Sequence, residues 1–83
     1  MANITVYGAD WCGMTTTTRA HLDKLGVAYR YVNIDNDRAA AAWVASHNKG
    51  KEKKPTLDVD GEVLSAPSNR QLDKVLAEKG IIA

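Results

Sequence analysis

Cysteine occurs once in these 83 residues, at position 12. One cysteine forms no internal disulfide, so a disulfide framework is excluded and a reducing, cytoplasmic setting is expected. Neither sign of charge dominates: 11 lysines and arginines face 10 carboxylates, for a net charge of +1. No global field then draws the chain to nucleic acid or to a membrane surface, and neither partner is expected. The longest apolar stretch, Ala39 to Ala45, is far too short to span a bilayer. Met1-Ala2-Asn3 carries neither a basic region nor the apolar run of a leader. Zinc-type ligand spacing, a phosphate-binding glycine loop and internal repeats are all lacking. What remains is a single small domain, residues 1–83, expected to be monomeric, with an ordinary apolar content of 45% from which to build a core.

The elements follow from periodicity and punctuation. Ile4-Thr5-Val6-Tyr7, closed by Gly8, reads as a buried first strand. A helix follows from about Gly13 to Leu25, with Met14, Thr18, Leu22 and Leu25 on its inner face, Asp10 as a candidate cap and Gly26 as its stop. Val27 to Ile34 alternates and reads as a second strand. Asp35 or Asp37 then caps an alanine-dense helix from Arg38 to Asn48, with Trp43, Val44 and His47 available for packing. Lys49 to Lys54 is a charge run of four lysines and one glutamate, read as a solvated loop or as the flank of a site for an anionic thiol or acidic partner. Asp60-Gly61 between apolar runs signals a hairpin. Ser68 with Gln71 forms a capping-box pattern for a last helix that buries Leu72, Val75 and Leu76 and stops at Gly80. The order is β-α-β-α-β-β-α, a layered α/β domain whose first two strands pair in parallel.

Cys12 sits between Trp11 and Gly13, where the first strand turns into the first helix. A lone cysteine often serves as a small apolar filler. Filler cysteines belong inside periodic apolar runs, however, and this one lies at a turn. Free N–H groups at a helix N-terminus stabilise an anion there and raise the thiolate fraction of a thiol. For His21 and His47, packing or surface roles are expected rather than catalysis.

Four stretches give the chain a resemblance to glutaredoxins of the thioredoxin-fold superfamily. Ile4-Thr5-Val6-Tyr7 running into Trp11-Cys12-Gly13 resembles the family's active-site turn. Tyr31-Val32-Asn33-Ile34-Asp35 resembles its second strand and acidic end. Lys54-Pro55-Thr56 resembles its X-Pro-Thr segment, whose proline is cis and faces the active cysteine. Leu64-Ser65-Ala66-Pro67-Ser68 resembles the turn into the final helix. Mycoredoxins are similar in Trp-Cys-Gly, in a helix like Arg38-Ala39-Ala40-Ala41, in a loop like Asn48-Lys49-Gly50, and in Pro-Ser before the last helix. The chain departs from the family at several places. Cys12-Gly13-Met14-Thr15 stands where Cys-x-x-Cys is usual, and Ala9 and Asp10 stand where many members have a lysine. Ser65 to Asn69 replace the Gly-Gly-x-Asp-Asp of glutathione users, and Lys54 replaces the usual valine.

The resemblance implies a four-stranded mixed sheet flanked by helices, and thiol–disulfide exchange at Cys12. With no resolving cysteine, it implies the monothiol route: reduction of mixed disulfides between proteins and a low-molecular-weight thiol such as mycothiol or glutathione, with no bound cofactor or metal. Thr15, at the resolving position, is expected to donate a hydrogen bond to the thiolate or simply to pack. Trp11, Gly13, Met14, Lys54, Pro55 and Ser68 are the residues expected to hold the small thiol, with Trp11 as a wall. Two other readings stay open. One is a monothiol glutaredoxin that shares an iron–sulfur cluster between two chains, although such relatives carry Cys-Gly-Phe-Ser. The other is a non-catalytic scaffold or redox sensor with an unperturbed thiol.

Overall fold

The computed structural model describes residues 3–83. Met1 and Ala2, part of the segment read above as free of a leader pattern, lie outside the described residues. The first strand, β1 (Ile4–Gly8), alternates its side chains between two buried layers. Ile4 and Val6 enter the larger cluster, with Leu22, Leu57, Val59, Leu72 and Leu76. Tyr7, one residue on, points the other way and packs with Ile34, Ala41, Val44 and Trp43. A strand buried on both faces belongs in the middle of a sheet, and β1 is central: the order is β2-β1-β3-β4.

Helix α1 (Gly13–Leu25) connects β1 to β2 (Arg30–Asn33), which pairs in parallel with Gly8 opposite Asn33. A short 3-10 turn at Ile34–Asn36 leads to α2 (Arg38–Ser46), capped by the Asp37 carboxylate on Ala40 N–H at 3.0 Å. β3 (Thr56–Val59) then runs antiparallel to β1, with Thr56 opposite Tyr7. Asp60 and Gly61, both at positive φ, close the hairpin to β4 (Glu62–Ser65). Both central residues of such a two-residue turn need the left-handed region, which the Asp-Gly pair tolerates. Helix α3 (Asn69–Glu78) follows with a complete capping box between Ser68 and Gln71. Thus α1 and α3 cover one face of a four-stranded mixed sheet and α2 the other.

Several expectations need correction. The second strand is shorter than Val27 to Ile34, because Val27 N–H is already taken by Leu22 O in the helix C-cap and cannot join the ladder. Asp10 does not cap α1. Cys12 holds the N-cap position, while the Asp10 carboxylate accepts the Tyr31 hydroxyl at 2.7 Å. Met14 and Leu25 are exposed rather than inner residues of α1, whose buried positions are Thr15, Thr18 and Leu22. The second helix ends at Ser46 and continues only as turns. No helix among the described residues is long and apolar enough to cross a membrane.

Candidate active site

Register brings the site together. β1 ends at Gly8, opposite the end of β2 and the start of β3. Continuing the antiparallel register by one step sets Pro55 opposite Gly8. Ala9 to Cys12 form a tight turn, closed by Cys12 N–H to Ala9 O at 3.1 Å, that delivers Cys12 to the start of α1. The Lys54–Pro55 peptide is cis and Pro55 is fully buried, as the X-Pro-Thr resemblance implied.

Cys12 is free and partly exposed. No side-chain hydrogen bond closes its cap, so the first N–H groups of α1 keep their capacity for an anion. The thiol is held below its ordinary pKa first by the Thr15 hydroxyl; burial, the next-largest effect, opposes this, and the Thr15 and Met14 N–H groups and the Lys54 charge each add a smaller lowering. Thr15 is 1% exposed, and its oxygen accepts Ala9 N–H at 3.4 Å. Its one proton then remains for the sulfur, a bond that strengthens as the thiol ionises. Thr15 packs directly on β1: a Cβ at Gly8 would lie 3.0 Å from Thr15 Cβ and closer still to its methyl and hydroxyl. Glycine at position 8 therefore lets the first turn of α1 settle against the strand.

Trp11 is 71% exposed yet held at two points. Its indole N–H donates to Asp35 Oδ2 at 2.7 Å, and Lys54 Nζ lies 5.3 Å from the ring centroid. These two contacts orient the exposed indole next to Cys12 in the chain. On the other side, Gly13, Met14, Thr17, Thr18, Pro67, Ser68 and Asn69 line an open groove of about 390 Å³. The expected site residues therefore fall around Cys12 in two sets: Trp11 with Lys54 and Pro55, and Gly13 with Met14 and Ser68. From sequence, Asp35 reads as a possible helix cap and as the acidic end of the second-strand resemblance, and neither reading contains its bond to Trp11. The available signal was topological. Parallel β1 and β2 end side by side, so residues just past each end meet.

The glutaredoxin family model matches residues 4–64, from β1 to the hairpin. The chain belongs to the glutaredoxin family. A Mycobacterium tuberculosis protein (strain H37Rv) that carries a glutaredoxin name is 38% identical over 68 residues, 81% of each chain. Mycoredoxin 1 of Corynebacterium glutamicum is 37% identical over 57 residues, 69% of this chain and 70% of that protein. Among solved structures, a glutaredoxin from Archaeoglobus fulgidus superposes with a TM-score of 0.78 at 20% identity, covering 92% of this chain and 87% of that one. The chain is thus a glutaredoxin with the thioredoxin fold and a homologue of mycoredoxin, and redox chemistry follows from the family.

Proposed function

We propose that this glutaredoxin reduces mixed disulfides between proteins and a low-molecular-weight thiol by a monothiol mechanism at Cys12. The observation that carries the proposal is the placement of a single, partly exposed thiol at the N-cap of α1, with the Thr15 hydroxyl and two backbone N–H groups lowering its pKa. A thiolate is the attacking species in exchange, and each of these groups favours it.

The Cys12 thiolate attacks the small-thiol sulfur of the mixed disulfide. The new S–S bond joins Cys12 to the small thiol, and the protein cysteine leaves as a thiolate that takes up a proton. A second molecule of small thiol, as thiolate, attacks its counterpart on Cys12. That step releases a symmetrical small-thiol disulfide and regenerates the Cys12 thiolate. In sum one mixed disulfide and one free small thiol become a protein thiol and a symmetrical small-thiol disulfide, so no resident cofactor and no second cysteine are required.

In this reading Trp11 supports one side of the bound small thiol. The groove of Gly13, Met14 and Ser68 offers the other, with the α3 N-terminus favouring a carboxylate. The backbone at Lys54-Pro55 presents an edge for the peptide-like part of a thiol such as mycothiol or glutathione. The protein acts as a monomer in the cytoplasm, where small thiols are reduced.

Intact-mass spectrometry tests the proposal. The protein and its Cys12→Ser variant are incubated with the disulfides of mycothiol, glutathione and hydroxyethanethiol. One adduct on the native chain, none on the variant, and rapid removal by one reduced thiol are expected. A Cys12 that no disulfide modifies within hours would refute the oxidoreductase reading.

A further inference from the structure

Charge is unevenly distributed on this nearly neutral chain. Arg38 and Lys49, Lys51, Lys53 and Lys54, less Glu52, carry +4 together, which leaves −3 on the rest of a chain of net charge +1. The charge of the run's one glutamate is taken up by Arg38, whose Nη2 lies 3.1 Å from Glu52 Oε2. Among the described residues, none of the four lysines has a carboxylate partner. Lys49, Lys51 and Lys53 are exposed. With His47, Asn48, Ser65 and the Arg38-paired Glu52 they line an open pocket of about 580 Å³.

This pocket lies on a different side of the site from the small-thiol groove. Asn48 Nδ2 binds Val44 O at 2.7 Å and Thr56 Oγ1 at 3.3 Å, and Asn48 Oδ1 accepts the Ser65 hydroxyl, which ties the pocket to the α2 face of the sheet. Gly13, Met14 and Ser68 stand at the N-termini of α1 and α3, on the opposite face. Lys54 bridges the two regions, since it follows the basic loop directly and its ammonium lies over Trp11, next to Cys12. A small thiol in the groove would leave the lysines free.

Building on the monothiol reading, we propose that the pocket of Lys49, Lys51 and Lys53 docks an acidic segment of the protein substrate, so that mixed disulfides with carboxylates nearby are reduced preferentially. Three cations spread over five residues match several carboxylates along a chain better than the one or two of a small thiol. The one aromatic ring among the pocket's lining residues is His47, itself packed against Trp43 at 4.3 Å, which leaves little surface for stacked nucleic-acid bases. Exposed charges of this kind act mainly on encounter rates and fade with salt.

The test uses two peptides that carry the same small-thiol mixed disulfide, one flanked by aspartates and one by lysines, with hydroxyethyl disulfide as a neutral control. At low salt the acidic peptide is expected to react about five- to tenfold faster than the basic one, and the ratio to approach one near 0.5 M salt. The triple variant Lys49→Gln/Lys51→Gln/Lys53→Gln should lose the preference while reacting normally with the neutral disulfide. Equal rates for the two peptides, with the neutral control still reduced, would overturn the docking proposal alone. Failure with all three substrates would instead remove the oxidoreductase reading on which it rests. Salt-sensitive binding of a single-stranded oligonucleotide without any peptide preference would also count against acidic-protein docking.

Discussion

Cys12 and Thr15 form the chemical unit of this protein, and the hydroxyl's effect can be isolated. Because the folded-state thiol pKa is lowered, thiolate is present at lower pH than for an ordinary cysteine, and reactivity falls as pH drops through that lowered value. Thr15→Val keeps the shape and removes the proton donor. The midpoint of the pH profile for Cys12 alkylation should move up. The rate at neutral pH should fall with it, by at most about tenfold if the midpoint rises by one pH unit. A profile unchanged by the substitution would remove Thr15 from the mechanism and leave the helix N-terminus as the cause. Gly8→Ala tests the support beneath this pair. The added methyl has no space against Thr15. A loss of about 1–3 kcal/mol in urea unfolding is expected, accompanied by a disturbed thiol pH profile. Thr15 was visible in the sequence as the occupant of the resolving position. Its packing on Gly8 was not, because that contact exists only once α1 lies against β1.

Among the elements, α3 was the most legible from sequence, and its start forms part of the candidate site. Ser68 accepts Gln71 N–H at 3.1 Å, and Gln71 Oε1 accepts Ser68 N–H at 2.9 Å. Both bonds are local, so the four-residue pattern was enough to place them. Ser68→Ala should cost about 1 kcal/mol of stability by denaturant titration. If the α3 terminus also holds the small thiol, the same variant should release the adduct from Cys12 at a changed rate. A stability loss with unaltered adduct kinetics would confine Ser68 to capping. The second strand was less legible. Val27, Ala28 and Tyr29 alternate like strand residues, but the C-cap of α1 claims the Val27 N–H, and pairing begins only at Arg30, opposite Thr5. Asp10 failed as a cap for a related reason: the turn of Ala9 to Cys12 places the cap two residues later, and Tyr31 draws the carboxylate to the neighbouring strand.

For the whole molecule, the two buried clusters share a single central strand, since Val6 packs with α1 and α3 while Tyr7 packs with Trp43 of α2. Loss of either layer exposes the face of β1 that it covers. Unfolding of this small chain should therefore be cooperative. In a Trp11→Phe variant, Trp43 fluorescence reports the α2 layer and far-UV circular dichroism reports all helices. The two urea transitions should coincide. Loss of the Trp43 signal at clearly lower urea would show that the α2 layer melts separately.

Element order, the hairpin, the last helix and the position of Cys12 at a strand–helix junction could all be read from the chain alone. Each depends on neighbours within a few residues, where hydrogen bonding and side-chain periodicity are local. The distant meetings required the folded sheet. Lys54 over Trp11, Trp11 on Asp35, Pro55 opposite Gly8, and a basic pocket across the sheet from the groove all follow from strand register. Register is settled by burial on both faces of β1, a cooperative property that no single stretch of sequence contains.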